Sequence, residues 1–276
     1  MTREDRVKVA HNVMAELNVG GFETEDGYYT FSSETAGVKL MKTTPVPYFI
    51  GKDIVPTSAN VRIVNDNTIS VAFLLAKAGK TGVLNFASAW QPGGGWLRGD
   101  NAQEECLARC STLYRSIGMN PAASGYYLHQ KTHLCPYNPD LMLVSPRVTV
   151  YRFPDDGSHM YMPFDVCCIS CAAVDYRKHA GRDDPRVETG NIKMRMRIQA
   201  ILNQFYLEGC RNVVLGAWGC GVFKNKPLTI AQLFRTEIYK GGWIHAFDNI
   251  TFAILGDSKG TNVKAFEQVF GMKAVT

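Results

Sequence analysis

The chain has 276 residues, of which 46% are hydrophobic and 20% are charged. This composition excludes a disordered chain, and no apolar run approaches the roughly 20 residues that a transmembrane helix needs. The net charge of +5 permits an anionic ligand, but no block of five basic residues indicates nucleic-acid binding. The sequence opens without the apolar segment of a secretory signal, so we expect an intracellular protein, cytoplasmic or nuclear, whose eight cysteines are free thiols.

The hydrophobic pattern alternates between helices and strands in chain order. An amphipathic helix is predicted over residues 5–17, loops and edge strands over 18–60, and surface excursions over 119–160. Further strands are predicted at 61–64, 82–87, 142–144, 164–170, 212–215 and 251–255, and helices at about 69–75, 103–117, 188–208, 227–239 and 263–269.

This alternation predicts an α/β fold with a mostly parallel central sheet. We expect one main domain over residues 59–276 and an N-terminal extension over residues 1–58 that packs on it. Two glycine-rich loops, 92–99 and 216–221, each follow a predicted strand and precede a helix. Because ligands bind at the carboxyl ends of parallel strands, the two loops should meet at one edge and could hold a diphosphate between them. Glycines in tight turns are the simpler alternative for either loop alone.

Two common phosphate-binding motifs are incomplete in this sequence, because each lacks a required glycine. Gly79-Lys80-Thr81 resembles the end of a P-loop, but the required earlier glycine is Leu74. Gly219-x-Gly221 lacks the third glycine of a dinucleotide fingerprint, which is Lys224 here. A nucleotide kinase and an NAD-dependent dehydrogenase are therefore disfavoured.

A tandem of carboxylates follows the first glycine loop. Glu104 and Glu105 open a predicted helix that Asp100 or Asn101 could cap, and Asn101 to Glu104 has capping-box spacing. Capping alone would explain these acids. Burial and a neighbouring like charge would instead raise the pKa of one carboxyl towards neutrality, which suits an acid that cleaves a glycosidic bond.

Three motifs together resemble the poly(ADP-ribose) glycohydrolases. Gly93–Gly95, seven residues and then Gln103–Glu105 are similar to the triple glycine and Gln-Glu-Glu of that family. The segments Leu84–Ala89 and Gly216–Phe223 are similar to its microbial branch, and the resemblance covers residues 60–256 in order.

The resemblance implies a macrodomain-like three-layer α/β/α fold with a mixed, mostly parallel sheet, here with an N-terminal helical extension. It implies hydrolysis of the ribose–ribose bonds of poly(ADP-ribose) attached to proteins, with release of ADP-ribose and no cofactor or metal. Glu105 would be the catalytic acid and base, and Glu104 and Asn85 would hold ribose hydroxyls. The other implied substrate-binding residues are Gly93, Gly94, Gly95, Gln103, Gly219, Cys220, Gly221, Val222 and Phe223.

Two other functions of the same pocket stay open: a reader that binds ADP-ribose without cleaving it, and a hydrolase that removes single ADP-ribose units. Trp96 and Arg98 depart from the small residues expected after the glycines. Arg98 could contact a phosphate or face solvent, and solvent is slightly favoured. Asp66 is a candidate for the adenine pocket or a helix cap.

Several other residues invite an interpretation that we disfavour. Cys167, Cys168 and Cys171 suggest zinc, but small buried thiols in a strand are the better interpretation. The basic stretch 193–197 is predicted to be the solvated face of a helix, and the run 182–186 a solvated turn.

Overall fold

The computed structural model describes residues 1–49, 58–177, 185–256 and 260–275. The described helices are α1 (Arg3–Val19), α2 (Thr68–Ala76), α3 (Gln103–Cys110), α4 (Leu113–Ile117), α5 (Ser124–His133), α6 (Pro185–Leu207), α7 (Pro227–Arg235) and α8 (Thr261–Phe270). The described strands are β1 (Gly21–Thr24), β2 (Gly27–Thr30), β3 (Lys39–Lys42), β4 (Asn60–Val64), β5 (Thr81–Phe86), β6 (Leu141–Arg152), β7 (His159–Cys171), β8 (Asn212–Leu215) and β9 (Asn249–Ala253).

Seven strands form the central sheet in the order β3-β6-β7-β5-β8-β9-β4. The five strands from β7 to β4 pair in parallel, whereas β6 pairs antiparallel with both β3 and β7. The predicted mixed, mostly parallel sheet is confirmed. Residues 119–160 differ from the surface excursions expected there, because they contain α5, which buries one face, and the 12-residue strand β6.

Side chains alternate between the two faces of the sheet and build two cores. On β5, Leu84 joins one apolar cluster and Val83 the other. The cluster around Leu84 includes residues of α6, α7 and α8, whereas the cluster around Val83 includes residues of α2, α3, α4 and α5. The three-layer α/β/α arrangement is therefore confirmed.

The N-terminal helix packs against the first glycine loop. Ala10, Val13 and Leu17 on one face of α1 share a third apolar cluster with Trp96. The Arg6 Nε donates a hydrogen bond of 2.7 Å to the carbonyl of Gly99. Farther along the N-terminal segment, β3 adds an edge strand to the sheet. We propose, in agreement with the sequence pattern, that residues 1–58 form an extension that packs on the domain formed by residues 59–276.

The helix predicted over residues 103–117 is interrupted after α3. Ser111 is extended, with φ −149° and ψ 173°, and forms an isolated β-bridge with Val150. Its hydroxyl donates to the Leu107 carbonyl at 2.6 Å, a local bond that competes with continuation of the helix. The prediction of one continuous helical face was wrong here.

The basic stretch 193–197 is only partly solvated. Arg197 is completely buried, and its guanidinium donates to the carbonyls of Ala172, Tyr137 and Asn138. The prediction of a solvated face was wrong for this residue, because the backbone carbonyls next to β7 need donors.

A turn is predicted from the sequence at residues 182–186. Residues 182–184 of this turn lie outside the described residues. No helix in the described ranges combines the length and apolarity of a membrane-spanning segment.

Candidate active site

A cleft of about 1160 Å³ lies at the carboxyl ends of the parallel strands. Because β5 and β8 are adjacent and parallel, the loops that follow them emerge side by side. Both loops line the cleft, so the predicted convergence is confirmed. Pockets for small ligands usually measure roughly 300–1,000 Å³, so this cleft has room for a ligand as large as a dinucleotide.

The residues singled out from the sequence lie together around this cleft. Asn85, Gly93 and Cys220 are close behind its wall. Those that line it are Gly94, Gly95, Gln103, Glu104, Glu105, Gly219, Gly221, Val222 and Phe223.

Glycine is required in the first loop because two side chains occupy the space beside it. Gly94 has φ +58°, and a Cβ there would lie 2.2 Å from Oε1 of Glu105 and 3.2 Å from Oε2 of Glu104. Gly93 has φ +69°, and its Cβ would lie 2.7 Å from the Trp96 ring. The Trp96 ring is buried and fixes the loop from behind, which explains a bulky residue after the glycines. The Arg98 side chain is 61% exposed and also lines the cleft, so both of its predicted roles stay open.

Glu105 is held at the cleft wall by the same loop. Its Oε1 accepts a hydrogen bond of 2.9 Å from the backbone N–H of Gly95. No residue in the described part of the chain donates to its Oε2. The carboxyl group is therefore fixed through one oxygen, and the other is available to a ligand in the cleft.

Glu104 lies deeper than Glu105. Its Oε2 accepts from the Ser88 N–H at 2.7 Å, and its Oε1 lies 3.4 Å from Nδ2 of Asn85, which also donates to Ser170 at 3.0 Å. Burial, with a smaller contribution from the charge of Glu105, raises the pKa of Glu104 to about 8. The carboxyl group with the raised pKa is therefore that of Glu104, for which the family resemblance implies binding of ribose hydroxyls.

The expected capping box is absent because tertiary partners take both of its side chains. Ala102 is the N-cap residue of α3, and no side chain caps the helix. The Asn101 Oδ1 accepts from Arg109 at 2.7 Å, whereas Glu104 turns inward to Ser88. The predicted capping of α3 by these side chains was therefore wrong.

Gln103 joins the end of β5 to α3. Its Oε1 accepts from the Phe86 N–H at 2.9 Å, and its Nε2 donates to the Leu84 carbonyl at 2.8 Å. A third contact of 3.3 Å joins Nε2 to the Thr68 hydroxyl. Because protein groups occupy both ends of the amide, we assign Gln103 a positioning role at the strand end.

Asn225 fixes the second glycine loop, and sequence reasoning missed it. Its Nδ2 donates to the carbonyls of Val174 at 2.8 Å and Gly219 at 3.0 Å. Gly219 has φ +77°, and a Cβ there would lie 2.5 Å from Asn225 and 2.6 Å from Ala173. A signal existed in the sequence: an Asn shortly after Gly-x-Gly and just before Pro227, a residue typical of a helix start.

Cys220 contributes to this loop only through its backbone. Its side chain packs against the core, and burial raises the pKa of its thiol to about 12. Phe223, by contrast, lines the cleft, with the Arg177 guanidinium 5.5 Å from the centre of its ring. Arg177 also lines the cleft and was missed, although it lies just beyond the carboxyl end of a predicted strand.

The start of α2 forms another wall. Asn67 caps this helix, since its Oδ1 accepts from the N–H groups of Ile69 and Ser70 at 3.0 and 2.9 Å. Asp66 lines the cleft, and its Oδ1 accepts from the Asn67 N–H at 2.6 Å. Asn67, and not Asp66, is therefore the cap of α2, whereas Asp66 faces the cleft.

The three cysteines of β7 do not converge on a common point. Cys167 and Cys171 belong to the cluster on one face of the sheet and Cys168 to the cluster on the other. In the described residues, no group of three metal-ligating side chains is close enough to hold an ion.

Comparisons with known proteins agree with this geometry. The sequence model of the family described as "Microbial-type PARG, catalytic domain" matches residues 14–153, which include the first glycine loop and both glutamates. This chain belongs to the microbial-type PARG family. No curated protein sequence matches the chain.

Solved structures of microbial PARGs share the fold over nearly the whole chain. The poly(ADP-ribose) glycohydrolase of Thermomonospora curvata is 28% identical, covers 97% of this chain and 100% of its own, and has a TM-score of 0.85. Its complex with the inhibitor ADP-HPD is 29% identical, with coverages of 96% and 99% and a TM-score of 0.82. The Deinococcus radiodurans enzyme in complex with ADP-ribose is 27% identical, with coverages of 87% and 96% and a TM-score of 0.75.

Proposed function

We propose that this PARG-family chain hydrolyses the ribose–ribose O-glycosidic bonds of poly(ADP-ribose) on modified proteins and releases ADP-ribose, with Glu105 as acid and base. The observation that carries the proposal is the Glu105 carboxyl group, held by the Gly95 N–H at the wall of a cleft that two glycine loops share. The solved relatives are poly(ADP-ribose) glycohydrolases, and their structures include complexes with ADP-ribose and with an inhibitor.

Glu105 has the geometry that proton transfer needs. The Gly95 bond fixes one oxygen and leaves the other to protonate the ribose 2′ oxygen as the glycosidic bond breaks. Positive charge then develops on the ribose ring, and the carboxylate left behind stabilises it. The same carboxylate next accepts a proton from the attacking water.

Glu104 complements this role by staying neutral. With a pKa of about 8 it is mostly protonated at pH 7, so it adds no full negative charge to the site. A protonated carboxyl both donates and accepts hydrogen bonds, which suits the hydroxyls of the ribose being cleaved. Asn85 supports Glu104 from behind.

The second loop suits the diphosphate and the adenosine side of the substrate. Gly221 has open space around it, so the backbone there can approach a phosphate group without a Cβ in the way. Phe223 offers an aromatic face to the adjacent ribose, and the Arg177 guanidinium beside it is held in an ion pair with Asp175. On this proposal the bond to be cleaved lies beside the free oxygen of Glu105, on the first-loop side of the cleft.

Replacing Glu105 with Gln tests the proposal, because the amide keeps the shape and loses the acid. Turnover of poly(ADP-ribose) should fall by about 10²- to 10⁴-fold, whereas calorimetry should show unchanged ADP-ribose binding. Glu23→Gln, at an exposed position on β1, is the matched control and should keep full activity. Full turnover by Glu105→Gln would contradict the proposal.

Product analysis separates the proposal from its two alternatives. Wild-type protein should release ADP-ribose from polymer-modified protein faster than from singly modified protein. Binding without release would indicate a reader, and preference for the singly modified protein would indicate a mono-ADP-ribosyl hydrolase.

A further inference from the structure

Two thiols lie on one face of α3, the helix that carries both glutamates. Cys106 and Cys110 are four residues apart, a spacing that places side chains next to each other on a helix, and the two thiols are close enough to shift each other's pKa. Cys106 is half-buried and lines the cleft, whereas Cys110 is 1% exposed. One sulfur can therefore meet a small molecule in the cleft, and the other lies directly behind it.

A buried arginine accompanies this pair. The Arg109 guanidinium donates to the Asp100 carbonyl and to Asn101, but its Nε has no partner in the described ranges. The Cys110 thiol and the Arg109 charge lower the pKa of the Cys106 thiol, against burial and the charges of Asp155 and Glu105. A lowered pKa favours the thiolate, which is the reactive form of cysteine.

A second thiol pair in the core provides a contrast. Cys167 and Cys210 are also neighbours, but they are 0% and 1% exposed. Neither thiol of this second pair lines the cleft, whereas Cys106 does. Access from the cleft and the neighbouring guanidinium distinguish the pair on α3.

We propose that Cys106 and Cys110 form a dithiol that hydroperoxides oxidise to a disulfide, with loss of enzyme activity. The Cys106 thiolate attacks the terminal oxygen of the hydroperoxide, the O–O bond breaks, and the alkoxide leaves as an alcohol after taking up a proton. Cys106 is then a sulfenic acid. The Cys110 sulfur attacks it, the S–S bond forms, the S–O bond breaks, and the hydroxide leaves as water with the proton of Cys110.

The backbone permits this closure at a cost to the site. Residues four apart on a helix have Cα atoms about 6 Å apart, within the range of disulfides, but their Cβ atoms are about 5–6 Å apart and must approach to about 3.5–4.5 Å, so one of the two residues has to move. Because α3 ends at Cys110 and Ser111 is already extended, Cys110 can move towards Cys106. A disulfide requires the sulfurs to approach to about 2.05 Å, which pulls on the turn that carries Glu104 and Glu105.

Hydroperoxide treatment followed by peptide mapping tests the proposal. In the wild type we expect a disulfide between Cys106 and Cys110, thiols at Cys167 and Cys210, and a fall in turnover of about a hundred-fold that dithiothreitol reverses. Cys110→Ala should stop at a sulfenic acid on Cys106, which dimedone traps. Cys106→Ser should keep its turnover in hydroperoxide.

Two results would overturn the proposal. One is that Cys106 and Cys110 stay reduced at a hydroperoxide concentration that oxidises the partly exposed Cys135. The other is that Cys106→Ser loses turnover in hydroperoxide as fast as the wild type. Because the mapping reads the thiols directly, it is independent of the substrate assigned to the enzyme. The Cys106→Ser result also does not depend on whether Cys110→Ala folds.

Discussion

Replacing Gly94 with Ala should move the Glu105 carboxyl group and thereby slow the reaction. The added Cβ would lie 2.2 Å from Oε1 of Glu105, whereas an ordinary contact begins at 3.4 Å. The oxygen must therefore move by about 1.2 Å, and a misplacement of about 1 Å can reduce a rate about a hundred-fold. We expect turnover of poly(ADP-ribose) to fall by this factor.

The same substitution should destabilise the fold for two separable reasons. Alanine at φ +58° costs about 1–2 kcal/mol, and loss of the bond from the Gly95 N–H to the Glu105 carboxylate costs about 1.5–3 kcal/mol more. Gly20→Ala is the matched control, since Gly20 has φ +82° and a Cβ there would meet no atom within 4 Å. It should lose only the first amount and keep full turnover.

Initial rates of ADP-ribose release and denaturant unfolding of both variants provide the measurements. A Gly94→Ala protein that is destabilised but turns over poly(ADP-ribose) as fast as the wild type would refute the reasoning. It would show that the position of the Glu105 carboxyl group does not limit the reaction.

Three further substitutions test other parts of the site. Because the pKa of Glu104 is raised on folding, its contribution to the free energy of unfolding decreases as pH rises from about 4.5 to about 8. In urea unfolding, Glu104→Gln should remove this pH dependence, which amounts to at most about 1.4 kcal/mol per pH unit. Gln103→Leu leaves the Phe86 N–H and the Leu84 carbonyl without their partner, so the free energy of unfolding should fall by about 1–3 kcal/mol; an unchanged value would remove its positioning role. Phe223→Ala should weaken ADP-ribose binding by about 1–3 kcal/mol in calorimetry, and an unchanged dissociation constant would place the ring outside the binding site.

The position of the site could be predicted from the sequence because it depends on local patterns. The apolar runs at β5 and β8 indicate buried parallel strands, and the glycine loops directly after them must then lie at the carboxyl edge of the sheet. The tandem glutamates follow within the first turn of the next helix. Each of these inferences uses residues that are close in sequence.

The details that were missed depend on partners distant in sequence. Asn101 and Glu104 have capping-box spacing, but Asn101 accepts a hydrogen bond from Arg109 and Glu104 accepts one from the Ser88 N–H instead. The antiparallel pairing of β6 with β3 and β7 extends the sheet through a region whose glycines and prolines indicate loops. The roles of Arg177 and Asn225 likewise depend on loops that only the folded chain brings together.

The most direct test of Glu105 as the acid is a crystal structure of Glu105→Gln with a fragment of poly(ADP-ribose) in the cleft. The side-chain amide that replaces the carboxyl group in this variant should lie within about 2.6–3.2 Å of the oxygen joining the two riboses, with the diphosphate between the two glycine loops. A fragment bound with this oxygen beyond the reach of that amide would contradict the central claim.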